Sequence, residues 1–245
     1  MNARITLATA ARVLHQLRRD PRTIALVLLV PALLVALFRW VLDGQPETFD
    51  RIGVPLLGIF PLVSMFLVTS ITMLRERTTG TLERLMTTPL GRLDLLAGYA
   101  LAFGAVAAVQ AGVTAAVAFG LLDLEVAGSP ALVLLLAVAN ALLGMALGLF
   151  VSAFASTEFQ VVQFMPAVVL PQILLCGLIV PRERMARALE VVSDVLPMSY
   201  AYDGLARVGA GGDLEAGLAL DLGVVLGVTV LALALGAATL RRRTA

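Results

Sequence analysis

Apolar residues run in six long stretches along the chain, at about 23–42, 52–74, 96–122, 131–153, 160–180 and 218–240, with shorter polar segments between them. A helix rises 1.5 Å per residue, so roughly 20 residues cross the ~30 Å of hydrocarbon in a bilayer. Each stretch reaches that length. Open strands cannot leave amides unpaired in lipid, and no ten-residue alternation marks a barrel. The pattern predicts six transmembrane helices. The first stretch reads as a span rather than a cleaved signal, because about 20 largely polar and basic residues precede it and no small-x-small site follows.

Two further segments have helical periodicity outside the spans. Residues 3–19 place Leu7, Ala10, Ala11, Leu14 and Leu17 on one side and Arg12, Gln16 and Arg19 opposite, before Asp20-Pro21 breaks the helix. This predicts an amphipathic helix lying at the membrane interface. From Arg182 to Leu196, Met185, Leu189, Val192 and Leu196 form one stripe and Glu183, Arg187, Glu190 and Asp194 another. Pro181 and Pro197 bracket the segment, and Glu183 is expected to pair with Arg187.

Arginine counts orient the spans. The N-terminal tail, the loop after the second span and the C-terminus together carry 12, whereas the other side carries five: Arg51, Arg182, Arg184, Arg187 and Arg207. Both termini are therefore expected in the cytoplasm. Arg39, near the outer end of the first span, is expected to snorkel to the interface.

Composition agrees with the pattern. Of 245 residues 60% are hydrophobic and 14% charged, with mean hydropathy +0.96, too apolar for a soluble domain of this size. A net charge of +1 gives no case for nucleic acid. All 18 basic residues are arginine, so the chain cannot supply the lysine of a phosphate-binding loop. A single Cys176 and a single His15 exclude a disulfide framework and a zinc cluster built from this chain alone.

One segment stands apart: the charged island from Arg75 to Leu90, set between the second and third spans. Gly80 is placed to cap a short helix with Glu83 three residues on, where a carboxylate meets free amides. Thr87-Thr88-Pro89 ends that helix, since the residue before proline avoids helical angles. Gly91-Arg92-Leu93-Asp94 opens the next. Leu82, Leu85 and Met86 among the charges point to a docking surface for a soluble partner.

The island, Arg-Glu-Arg-x-x-Gly-Thr-Leu-Glu-Arg-Leu-x-x-x-Pro-Leu followed by Leu95-Leu96-Ala97-Gly98, resembles the permease subunits of type-2 ATP-binding-cassette exporters, which move drugs, lipids and polysaccharides. A proline-rich fifth span, Val180-Pro181-x-Glu183-x-Met185, Leu196-Pro197-Met198-Ser199-Tyr200 and Asp203-Gly204-Leu205-Ala206-Arg207 agree with it. Ala186 departs from the pattern, where the family often has proline. The resemblance covers nearly the whole chain. It implies an all-α, six-helix integral membrane permease over residues 1–245, with an interface helix at 1–21, a coupling loop at 75–94 and an outer re-entrant or amphipathic segment at 181–217. It implies a dimer, of two copies or with a related permease, in the bacterial inner membrane. It also implies two separate ATPase subunits that hold the ATP and magnesium, with no cofactor in this chain. Carried over by motif position, Glu76, Gly80, Thr81, Glu83, Arg84, Leu85 and Pro89 would face the ATPase. In the family, spans two and five line the path, which implies Ser64, Thr69, Ser70, Phe159, Gln163 and Met165 here.

Gln110, Asn140, Gln160, Gln163 and Gln172 are costly in lipid unless paired, and helix-to-helix hydrogen bonding is the expected role for most. Gly144-x-x-x-Gly148 and Gly223-x-x-x-Gly227 would each allow close helix approach. Two other functional classes fit less well. Asp203-Gly204-Leu205-Ala206-Arg207 partly resembles the signature of CDP-alcohol phosphatidyltransferases, enzymes acting on lipid head groups, but the glycine–alanine spacing is short and Tyr200 stands where an aspartate is needed. A non-transporting assembly subunit is the other. The cargo is not readable beyond a tilt toward amphipathic molecules.

Overall fold

The computed structural model describes residues 2–81, 84, 91–212 and 216–239, the side chains of Arg92 and Ala216 excepted. Ten α-helices are seen among them. The interface helix α1 is Ala3–Arg18, and α2 (Pro21–Val41), α3 (Pro46–Thr78), α4 (Arg92–Leu121) and α5 (Pro130–Val151) follow. The fifth span is divided into α6 (Glu158–Val168) and α7 (Leu170–Leu175). Short α8 (Arg187–Ser193) and α9 (Pro197–Gly209) precede α10 (Ala216–Thr239). Six helical segments are long and apolar enough to cross a membrane.

Local chemistry sets the boundaries. Asn2 caps α1 by accepting from the Arg4 amide at 3.1 Å. Asp20 caps α2 through the Thr23 amide and hydroxyl, with Pro21 at the first turn, where a missing N–H costs nothing. Gly80, at φ +72, closes the end of α3 in the left-handed region that glycine adopts freely. With 33 residues, α3 is about 50 Å long and outreaches the hydrocarbon at both ends.

The centre of the bundle is α3 against α5. A methyl on Gly144 would overlap the Leu62 carbonyl, and one on Gly148 the Phe66 carbonyl and Thr69 hydroxyl. The first small-x-x-x-small pair is thus the closest approach of two helices. The second is not used within this chain: Gly223 and Gly227 have no neighbour within 4 Å of a would-be Cβ.

Prolines within spans free carbonyls, and one is visibly answered. Pro31 cannot donate to the carbonyl of Val27, and Gln110 of α4 donates its side-chain amide to that oxygen at 2.9 Å.

One expectation needs correction. The outer segment is not one helix from Arg182 to Leu196. A 3₁₀ turn at Arg182–Arg184 ends at extended Met185, and α8 starts only at Arg187. The Glu183–Arg187 pair gives way to Arg187–Glu190 at 2.9 Å. Arg182 instead turns to Asp203 and, at 3.5 Å, to Asp194. Within the chain, α1 turns Thr6, Thr9, Ala10 and Val13 inward, leaving Leu7, Ala11 and Leu14 exposed. The protein-facing side of α1 is small and polar, because it crosses α4 at Gly98, where a Cβ would meet Thr9 at 2.6 Å.

The polar segments gather at two poles. At one, the Glu125 amide donates to Asp50 at 3.0 Å and the Ala127 amide to the Gly209 carbonyl at 3.2 Å. At the other lie α1, the end of α3 and the starts of α4 and α6. That grouping matches the division of loops used to count arginines.

Candidate functional site

The second pole is built where the end of α3 and the start of α4 meet α1. Asp94, in the first turn of α4, accepts from the Asn2 amide at 2.7 Å and from the Thr6 hydroxyl at 3.4 Å. One helical turn further along α1, Thr9 packs on Gly98. Further still, Arg12 donates to Glu76 at 3.2 Å and to the Tyr99 hydroxyl at 2.7 Å. Glu76 belongs to the last turn of α3 and Tyr99 to α4, so Arg12 ties both flanks of the charged island to α1. Tyr99 is fully buried and Glu76 6% exposed. The second carboxylate oxygen of Glu76 is buried without a partner, as is Nε of Arg12.

On the far side of α3, Arg75 makes a forked pair with Glu158 at 2.6 and 3.1 Å, linking the island to the start of α6. Both side chains are more than half exposed, so the pair is worth at most about 1 kcal/mol. Asp20 sits close by. Hydrogen bonds from Thr23 hold its carboxyl below the usual carboxylate range.

Of the residues expected to face an ATPase, Glu76 turns inward within this chain as the acceptor of Arg12. Gly80 ends α3, and its carbonyl accepts from the Arg84 amide at 3.1 Å, the geometry of a new helical turn. The Thr81 and Thr79 hydroxyls lie 3.0 Å apart, and the Arg84 residue is exposed. Glu83, Leu85 and Pro89 lie outside the described residues.

Of the residues expected along a path, Thr69 and Ser70 are fully buried and bonded to carbonyls one turn back, Thr69 also to the Met145 carbonyl of α5 at 3.2 Å. Within this chain Thr69 thereby joins α3 to α5, and Ser70 folds back on its own helix. Ser64 lines a cavity beside α2. Phe159 is 70% exposed, Gln163 exposed and Met165 half-buried. Phe159 and Gln163, with Val162, Pro166, Leu170 and Leu174, form an exposed stripe along α6 and α7, while Met165 packs against the core.

Sequence reasoning missed Asp94, Tyr99 and Glu158, and it gave Arg12 no partner. Asp94 was legible as a first-turn carboxylate. The Arg12 partners were not, because 64 and 87 residues separate them.

The family model for ABC-2 type transporters matches residues 5–208. A protein of Escherichia coli K12 named probable multidrug ABC transporter permease YbhR is 30% identical over 148 residues, 60% of this chain and 40% of that protein. Linearmycin resistance permease protein LnrN of Bacillus subtilis 168 is 26% identical over 170 residues, 69% of this chain and 44% of LnrN. ABC transporter G family member 20 of Dictyostelium discoideum is 27% identical over 160 residues, 64% of this chain and 22% of that protein. The chain thus spans less than half the length of these relatives.

Proposed function

The chain belongs to the ABC-2 type transporter family, and from that premise we propose that it is the transmembrane subunit of an ATP-driven exporter of amphipathic molecules. It is a multi-pass membrane protein. Residues 1–245 form one permease domain, in a bacterial inner membrane, with both termini cytoplasmic. A separate ATP-binding-cassette subunit holds ATP and magnesium and docks on the island between α3 and α4 through Gly80, Thr81, Glu83, Arg84, Leu85 and Pro89. A second copy, or a related permease, covers the exposed stripe of α6 and α7. There Gln163 would otherwise meet lipid at a cost that burial against protein removes. The names of the YbhR and LnrN relatives support a drug-like or antibiotic cargo.

The observation that carries this reading is the position of the island. The family match runs through it, and its flanks are clamped to α1 at Arg12, Glu76 and Tyr99, so force applied there reaches two spans. The test is ATP turnover by the purified chain, alone and with an ATP-binding-cassette ATPase. Turnover is expected only with the partner. Glu83→Arg is expected to weaken association while size-exclusion behaviour in detergent stays normal. Hydrolysis by the chain alone would overturn the division of labour. Unchanged association in Glu83→Arg would remove Glu83 from the interface.

A further inference from the structure

A cavity of about 610 Å³ lies between α1, α2 and α3, away from the α6–α7 stripe. Its volume falls in the range of small-molecule sites, ~300–1,000 Å³. Leu26, Val27 and Val30 of α2 face Leu67, Val68 and Ile71 of α3 across it, and Val13 and Leu17 of α1 form its lip. Along α3 it runs from Ser64 to Thr79. That is about 22 Å at 1.5 Å per residue, the depth of one leaflet with its head-group zone.

The apolar walls end in charge. Gln16, Asp20, Arg75, Glu76, Thr79 and Thr81 line the end at the island pole. Arg75 is already held by both oxygens of Glu158. Asp20 makes no ion pair within 4 Å among the described residues; Thr23 donates to it through its amide and hydroxyl, and Arg75 acts on its charge from farther off. Glu76 shares one oxygen with Arg12, while the other is buried and lacks a partner, a condition that costs roughly 1–3 kcal/mol. A groove shaped for a hydrocarbon chain thus ends in two carboxylates, one with an unanswered oxygen and the other near Arg75, whose direct ion pair is with Glu158.

We propose that this cavity binds an amphipathic amine, its protonated nitrogen between Asp20 and Glu76 and its apolar body between α2 and α3. Leu26 and Val30 on its α2 wall are exposed, so a ligand can reach it from the membrane. The charge of Arg75, neutralised by Glu158, leaves the rim net acidic and selects against fatty carboxylates. The inference deepens the export reading by naming a cargo class, and rests on it for the role of the site in transport. Binding itself needs neither ATP nor a partner.

The test uses the full chain in nanodiscs of a zwitterionic lipid and three photoreactive probes of equal chain length, ending in a primary amine, an alcohol or a carboxylate. Labelled peptides are mapped by mass spectrometry. The amine probe should label residues 64–72 or 26–30 with at least roughly tenfold preference over the alcohol, the scale of one charge-assisted hydrogen bond. Asp20→Asn keeps a capping side chain, and Glu76→Gln keeps an acceptor for Arg12. Each should erase that preference; Asp20→Asn should leave the thermal midpoint in detergent unchanged, whereas Glu76→Gln also weakens the Arg12 grip and should lower it, so Asp20→Asn is the variant that separates binding from folding. Val30→Trp, which fills the groove from a half-open wall position, should block all labelling there. Equal labelling by amine and alcohol, or a preference that survives both carboxylate variants, would overturn the proposal and reduce the cavity to a slot for lipid chains. Neither result would touch the export reading, whose test is ATPase-dependent turnover.

Discussion

The hydrogen bond from Gln110 to the Val27 carbonyl offers a way to ask whether side chains answer the carbonyls freed by prolines in these spans. Pro31 leaves that oxygen without its backbone donor, and Gln110, fully buried on α4, supplies one at 2.9 Å. Gln110→Leu removes the donor and strands a buried carbonyl, at roughly 1–3 kcal/mol. It also removes the unpartnered Oε1 of Gln110, which returns part of that cost. Interhelical hydrogen bonds in bilayers are worth roughly 0.6–2 kcal/mol, so a net loss of about 1 kcal/mol is expected. Pro31→Ala restores the backbone donor to Val27 without help from α4. In that background Gln110→Leu should cost close to nothing, which makes the coupling between the two sites about as large as the single loss. Denaturant titration in mixed micelles measures all four proteins, and hydrogen exchange at residues 27–31 reports the bond locally. An equal loss from Gln110→Leu with and without Pro31 would show that Gln110 acts through packing, and the argument would fail.

Gly144→Ala and Gly148→Ala should each cost roughly 1–3 kcal/mol and lower the thermal midpoint, because the added methyl meets backbone that cannot move aside, whereas Gly223→Ala and Gly227→Ala should be silent in the monomer. Burial raises the Asp203 carboxyl to about 6, even beside Arg182. A carboxyl raised on folding stabilises most below its unfolded value and loses that contribution as pH climbs through its folded value. The thermal midpoint should therefore fall between pH 4 and 6 by an amount equivalent to at most about 3 kcal/mol, and Asp203→Asn should flatten that slope. In a Cys176→Ser background, Thr79→Cys should react with a membrane-impermeant maleimide only in inverted vesicles and Arg184→Cys only in intact cells. The reverse pattern would invert the arginine-based orientation and move the docking island to the outside.

The spans were legible because a bilayer imposes their length regardless of tertiary context. Each predicted stretch has a helix over it, with ends displaced where caps decide: Pro46 starts α3 six residues before its apolar run, and Gly80 stops it. The outer helix failed for the opposite reason. Its periodicity from Arg182 to Leu196 is real, but Arg182 is drawn to Asp203, 21 residues on, and the chain breaks at Met185 to let it turn. Thr69 and Ser70 meet a similar limit, since a hydroxyl in a span reads the same whether it faces a path or folds back on its own helix. Only the contact with α5 at Gly148 and Met145 distinguishes the two.

The same limit applies to Glu76, and its consequence reaches the mechanism. An acidic residue within Arg75-Glu76-Arg77 reads as surface charge, yet it is the point where α1 grips α3. Three successive grips lie along one face of α1: Asn2 and Thr6 on Asp94, Thr9 on Gly98, and Arg12 on both Glu76 and Tyr99. The first two hold α4 and the third bridges α4 to α3. A push on the island that tilts α3 against α4 must therefore strain the Arg12 grip or carry α1 with it. The exposed Leu7, Ala11 and Leu14 lie on the opposite side of α1, so a moving α1 shifts apolar side chains within the membrane interface. Val13, Gln16 and Leu17 move too, and these residues form the lip of the cavity between α2 and α3. On the proposed reading, docking at the island and access to the cavity are linked through one helix, with Arg12 as the joint between them.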